Sequence, residues 1–292
     1  VNGVERVTGY VADLKVHPSA RRSGVADLLT GYARDTAIEL CGESAPVLTT
    51  ILAGNSAMER RTRGPRGMPP LVRFATLRAS AIPLLWERRE RATGLSIWPA
   101  ADRDLPRMAA LWREIAPGRQ LAPVLDAASL GAWIRRAPGL AISDFLLGLD
   151  TRGRLRGFLA VWDQASFKQM RVVSYSPRLA LARGAINLAS LLTGSARLPA
   201  PEAALPALAI THVCATDALT LRALLLEAYR RHRGRQHAFM TLGLDAVDPL
   251  NAALPGLLAQ PTLVHAYVAS GDGSIDPAWM AARPLHHETA LV

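Results

Sequence analysis

The apolar pattern of the chain alternates between short continuous runs and longer segments whose apolar residues recur at three and four. Residues 10–16, Tyr-Val-Ala-Asp-Leu-Lys-Val, are β-branched and apolar with polar breaks at Asp13 and Lys15, and predict a strand. His17-Pro18 closes it, because the residue before a proline is turned away from helix. A helix is expected from Gly24 to about Leu40, with Val25, Leu28, Leu29 and Tyr32 on its apolar face and Gly42 at its stop. Residues 46–53 predict a buried strand, and Asn55 caps a short helix behind it. Residues 71–77 and 80–85 read as two closing strands or one bent strand.

The pattern restarts near Thr93-Gly94. It predicts a strand at 95–99, helices at about 102–115 and 129–137, and a hairpin of 144–149 with 155–162. A short strand is expected at 172–175, then an apolar helix at 179–194 that reads as an inserted lid. Strands at 208–214 and 238–244 flank a helix at 219–233 that ends on Gly234. A helix opens at Asp248-Pro249, and 263–268 with 285–291 predict a closing hairpin.

Half of the 292 residues are hydrophobic, enough for one large or two ordinary domains. No run of eighteen apolar residues predicts a transmembrane helix, no signal-peptide pattern opens the chain, and Cys41 and Cys214 lack metal spacing. A reduced, cytoplasmic setting with no membrane partner is therefore expected. The net charge of +10 comes from 34 Lys and Arg against 24 Asp and Glu, and only Lys15 and Lys168 are lysines. That excess suits an anionic ligand. No basic run interleaved with aromatics, and no recognisable module, points to nucleic acid.

Between the first strand and its helix stands Arg21-Arg22-Ser23-Gly24-Val25-Ala26. A helix N-terminus offers free N–H groups and partial positive charge. Gly24 lets an anion approach the backbone, and the arginines add charged donors. Arg21, Gly24 and Ala26 follow the spacing Arg/Gln-x-x-Gly-x-Gly/Ala, and with the preceding Ala-Asp-Leu-Lys-Val-His-Pro they resemble the GCN5-related N-acetyltransferase (GNAT) family. The resemblance implies an α/β (α+β) fold of two GNAT-like domains with mixed, mostly antiparallel sheets. The first would be a partial domain at 1–93, lacking the strands and helices that precede this point in the family. The second, 94–292, follows the family's element order but reads Ala-Thr-Asp-Ala-Leu-Thr where the phosphate turn would stand. Asp217 there would repel pyrophosphate, so this half is expected to be degenerate.

The resemblance further implies acetyl-CoA as co-substrate and a primary amine as acceptor, with no metal. The turn from Arg21 to Ala26 would hold the pyrophosphate, backbone near Leu14 and Val16 would pair with the pantetheine arm, and Asn55 would touch it. Asp13 is the nearest candidate base. The family's tyrosine acid has no counterpart in Met58-Glu59-Arg60-Arg61-Thr62. A non-catalytic CoA-binding or regulatory module is the alternative. His286-His287-Glu288 lacks a third ligand at fixed spacing and is read as structural. Exposed strand edges in an incomplete first domain predict self-association.

Overall fold

The computed structural model of the chain describes residues 1–64, 70–88, 94–234 and 236–291. Among these residues nine strands form one sheet: β1 (Gly9–Tyr10), β2 (Val47–Leu52), β3 (Val72–Pro83), β4 (Ser96–Pro99), β5 (Phe145–Leu149), β6 (Leu155–Asp163), β7 (Ala207–Ala215), β8 (Phe239–Asp245) and β9 (Gln260–Ala269). Seven helices accompany them among the described residues: α1 (Val25–Cys41), α2 (Ser56–Arg61), α3 (Leu105–Ile115), α4 (Ala127–Arg136), α5 (Pro177–Thr193), α6 (Ala218–His232) and α7 (Pro277–Met280).

The spatial order is β1-β2-β9-β3-β8-β7-β6-β5-β4. Only β1 with β2 and β7 with β8 run parallel; the other neighbours are antiparallel. Strands from before and after residue 93 therefore share one sheet, with β3 held between β8 and β9. The centre has an internal symmetry. A parallel pair (β1 and β2, or β7 and β8) is followed in sequence by a strand that crosses to the far side of its counterpart. Thus β3 lies against β8, and β9 lies against β2. Thr93, at the expected boundary, lies outside the described residues.

The second half is packed on both faces of the sheet. Phe145, Leu147 and Phe158 join Met108 and Trp112 of α3 and Leu130 of α4 on one face. Leu146 and Leu159 join Leu221, Leu224 and Tyr229 of α6 on the other. A strand buried on both faces reads as a continuous apolar run, which is why Phe-Leu-Leu-Gly-Leu shows no alternation. The helix α1 behaves differently. Of its residues only Ala37 is buried, and Leu28, Leu29 and Tyr32 on its apolar face are exposed.

Several expectations are corrected. The strand expected at 10–16 pairs only at Gly9–Tyr10, because the chain then leaves β2. Of the two readings for 71–85, the single strand is the one formed, β3 over Val72–Pro83 with a register shift between Arg73 and Ala75. Residues 172–175 form no strand; Arg171 makes a single bridge to Ala204. Helix α6 is capped by Arg233 in extended conformation rather than by Gly234. Residues 285–291 are not a strand beside β9, whose two edges are taken by β2 and β3.

Candidate functional site

Where the chain leaves β1 it opens a cleft. Tyr10 pairs with Leu48, and the Val11 N–H still donates to the Leu48 carbonyl at 2.8 Å. Beyond that, no ladder pair joins residues 12–16 to β2. Asp13 sits at φ +60°, a left-handed kink that turns the chain away. The gap holds a cavity of about 620 Å³, within the usual size of a small-molecule site. One wall is Val11–Lys15, the floor is β2 with Ala269–Gly271, and α1 and α2 form the far side. Past the Val11 amide the wall makes no ladder pair with β2 among the described residues, which leaves its main chain placed to accept an extended ligand as an added strand would be accepted.

The phosphate-type turn lies off one end of this cleft. Gly24 is the N-cap of α1 in left-handed conformation, φ +85°, with no side chain capping the helix. A Cβ placed there would meet nothing within 4 Å, so the approach is open. Arg22 is also left-handed, φ +68°. Arg21 Nε donates to the Val16 carbonyl at 3.3 Å, and Ser23 Oγ donates to the Ala20 carbonyl at 2.7 Å. These bonds shape the turn while leaving the Val25 and Ala26 amides at the helix start. Arg61, on α2, ties this end to the cavity. It donates to the Ala26 carbonyl and Thr30 Oγ1, each at 3.0 Å, pairs with Asp27 at 2.8 Å, and lines the cavity itself.

The counterpart cleft, between β7 and β8, is filled. These strands pair only over Ala207–Ala209 before parting. The segment after Leu285 enters the gap. The Glu288 carboxylate accepts from Thr211 Oγ1 at 2.5 Å and from the His212 amide at 3.0 Å, and lies 3.2 Å from His286 Nε2. Burial alone would raise the Glu288 pKa; the His212 and His286 rings and the Thr211 hydroxyl outweigh it and hold the carboxyl below its usual range. Thr289 packs so closely on Gly243 that no Cβ could stand there. Burial pushes the His287 pKa down to about 4, and its ring meets Tyr10 edge-on at 5.6 Å. At the start of α6, Asp217 caps the helix by accepting from the Thr220 amide at 2.8 Å. The place of an anion is thus already taken by a carboxylate.

The cleft brings together Asp13, Leu14 and Asn55; Val16 and the turn from Arg21 to Ala26 lie beyond its lining. Asn55 caps α2, accepting from the Met58 amide at 3.3 Å. The Asp13 side chain is exposed and paired with Lys15 at 2.9 Å. That pairing holds its carboxyl below the usual range, which weakens it as a base. Arg61 belongs to the basic stretch of Arg60, Arg61, Arg63 and Arg66, which reads from sequence as a solvated loop or as one facing substrate or phosphate; Arg61 faces the cavity. Sequence reasoning missed Tyr10, whose hydroxyl lies 2.8 Å from Oγ1 of cavity-lining Thr50. Burial raises the Tyr10 pKa, so the phenol keeps its proton. Among the described residues no cluster of three His, Cys, Asp or Glu is placed to hold a metal.

No protein-family model matches the chain, and no curated protein matches it. Solved structures do. A GCN5-related N-acetyltransferase from Sphaerobacter thermophilus is 14% identical, covering 89% of this chain and 72% of its own, at TM-score 0.53. A tandem GNAT protein from the clavulanic acid biosynthesis pathway is 15% identical, covering 91% and 76%, also at 0.53. A Saccharomyces cerevisiae N-myristoyltransferase with bound myristoyl-CoA is 10% identical, covering 98% and 67%, at 0.59. Other matches are longer, and the chain spans 56% of a GCN5-related N-acetyltransferase from Kribbella flavida. The chain has the GNAT-like acyltransferase fold.

Proposed function

We propose that this protein is an acyl-CoA-dependent N-acyltransferase that moves an acetyl group to a primary amine by direct transfer, with its one cofactor site in the first cleft. The observation that supports this most is the cleft itself: a strand pair that parts at Tyr10, a main chain that leaves the ladder along a cavity of about 620 Å³, and an open glycine-capped helix start at one end. Acetyl-CoA would supply an activated thioester. The turn at Arg21, Arg22, Ser23, Gly24, Val25 and Ala26, helped by Arg61, would hold its pyrophosphate. Backbone at Leu14 and Val16 would align the pantetheine arm, and Asn55 would border it. An N–H of this wall would polarise the thioester carbonyl. An ammonium acceptor would first give one proton to water. As the neutral amine nitrogen then bonds to the carbonyl carbon and the C–S bond breaks, the nitrogen would lose a second proton to water while Tyr10, through Thr50, passes one to the departing thiolate and is reprotonated from water. Asp13, held ionised by Lys15, would attract the cationic amine more readily than deprotonate it.

Calorimetric titration of the wild type with acetyl-CoA should give one site per chain, because the second cleft is filled by its own tail. Gly24→Glu should abolish the heat by placing a carboxylate at the helix start. Two equal sites, or unchanged binding by the variant, would overturn this placement. With binding established, Tyr10→Phe separates catalysis from the non-catalytic alternative. Turnover on an amine panel should fall roughly 10²-fold or more at unchanged affinity. Affinity without product on any amine, by wild type, would favour the binding module. A panel of longer acyl-CoA thioesters sets the acyl group.

A further inference from the structure

Helix α5 is turned inside out. Arg183, Asn187 and Ser190 follow one another at four and three residues and form one stripe along it. This polar stripe faces the protein. Asn187 Nδ2 donates to the Leu198 carbonyl at 3.0 Å, and its Oδ1 accepts from the Leu198 amide at 2.7 Å. Arg183 Nε donates to the Pro199 carbonyl at 2.7 Å, and Ser190 is buried. The opposite stripe carries Leu181, Leu188 and Leu192, which are 78%, 69% and 92% exposed. A helix on a water-facing surface buries its apolar stripe and solvates the polar one. Here the hydrogen bonds fix the reverse orientation, so the leucines point outward by construction. Val173, Met170 and Phe167, just before the helix, are exposed as well.

Charge selects the occupant. From Ala165 to Pro201 the chain has no Asp or Glu, and its charged side chains are Lys168, Arg171, Arg178, Arg183 and Arg197, a sum of +5. A second copy would bring two such segments together on molecules that each carry +10, an arrangement that like-charge repulsion opposes. An anionic surface meets both features. At 17 residues the helix is about 26 Å long, too short to cross a hydrocarbon core of about 30 Å. It suits a position in the plane of the interface, leucines down and arginines among the headgroups. We propose that α5 and its flanking segment dock the protein on an anionic lipid bilayer. The proposal departs from the expectation of no membrane partner, which rested on the absence of a spanning helix; the sequence does not reveal which stripe of α5 is tied down. The inference stands independently of the acyltransferase reading.

The test is flotation of the full chain with vesicles of phosphatidylcholine and phosphatidylglycerol, and with phosphatidylcholine alone. The protein should float with the anionic vesicles, and the bound fraction should fall with salt. Leu181→Glu/Leu188→Glu/Leu192→Glu should lower the partition coefficient by about tenfold or more, while Leu219→Glu, an exposed leucine on α6, leaves it unchanged. Arg178→Glu/Arg197→Glu provides a second variant whose loss should be confined to anionic vesicles. No flotation by wild type, or undiminished flotation by the triple variant, overturns the proposal. So does a wild-type dimer in light scattering that the triple variant dissolves while vesicle binding is absent.

Discussion

Single side chains in the tail carry more of this structure than their place in the sequence suggests. His287 is held neutral by burial, its pKa pushed down to about 4. In the unfolded chain an imidazole titrates near 6.5. Between those values the unfolded state binds the extra proton, so stability is full above about pH 6.5 and declines as pH falls toward 4. The limit of that loss is roughly 3 kcal/mol for a shift of this size. The Glu288 carboxylate adds a loss of the same sign, beginning as pH falls into the ordinary carboxylate range. His287→Phe keeps a ring against Tyr10 and removes the titration. Urea melts at pH 7 and pH 5 should show the wild type losing stability and the variant losing measurably less. Equal losses would mean that His287 is solvated in the folded chain.

The elements on either side of the second cleft are shaped for the tail that fills it. Gly243 lies on β8, where an added Cβ would fall 2.0 Å from Thr289 Cγ2. Ala at 243 therefore forces the tail outward, with an overpacking cost of about 1–3 kcal/mol. Thr289→Gly in the same chain removes the colliding atoms and should recover part of the loss, a coupling that a double-mutant cycle in urea measures. Additive effects would place the tail elsewhere. This closure also marks how far the sequence could be read. The strands β5 to β8 and helices α3, α4 and α6 were legible, because the apolar periodicity that predicts each acts within one element. The missing glycine and Asp217 beside it led the second helix start to be expected to receive pyrophosphate poorly. The tail was read as a strand because its residues suit one. What excludes it is distant: β2 and β3 have already taken both edges of β9. Likewise the Arg21–Ala26 turn was visible as a motif. The cleft beside it was not, since it depends on where residues 11–16 part from β2.

Across the whole molecule, the exchange of β3 and β9 joins what the sequence presents as two units. Each lies against a strand of the other half, so neither parallel pair has a complete neighbourhood without the other's crossing strand. Leu77 sits at this junction on β3. It is 1% exposed and packs with Ala266 of β9 and Leu285. Its register partners are Asp245 on β8 and Val264 on β9. Leu77→Ala should cost about 2–5 kcal/mol, as other large-to-small changes in cores do. If the halves fold as one, the loss appears in a single thermal transition, and amide protection falls together in β2 and β7. If they are independent units that merely abut, two transitions appear and only one of them shifts. The first outcome has a consequence for the proposed chemistry. A degenerate half that binds no cofactor would then be retained because it supplies β9, the strand on which β2 and the floor of the working cleft are built.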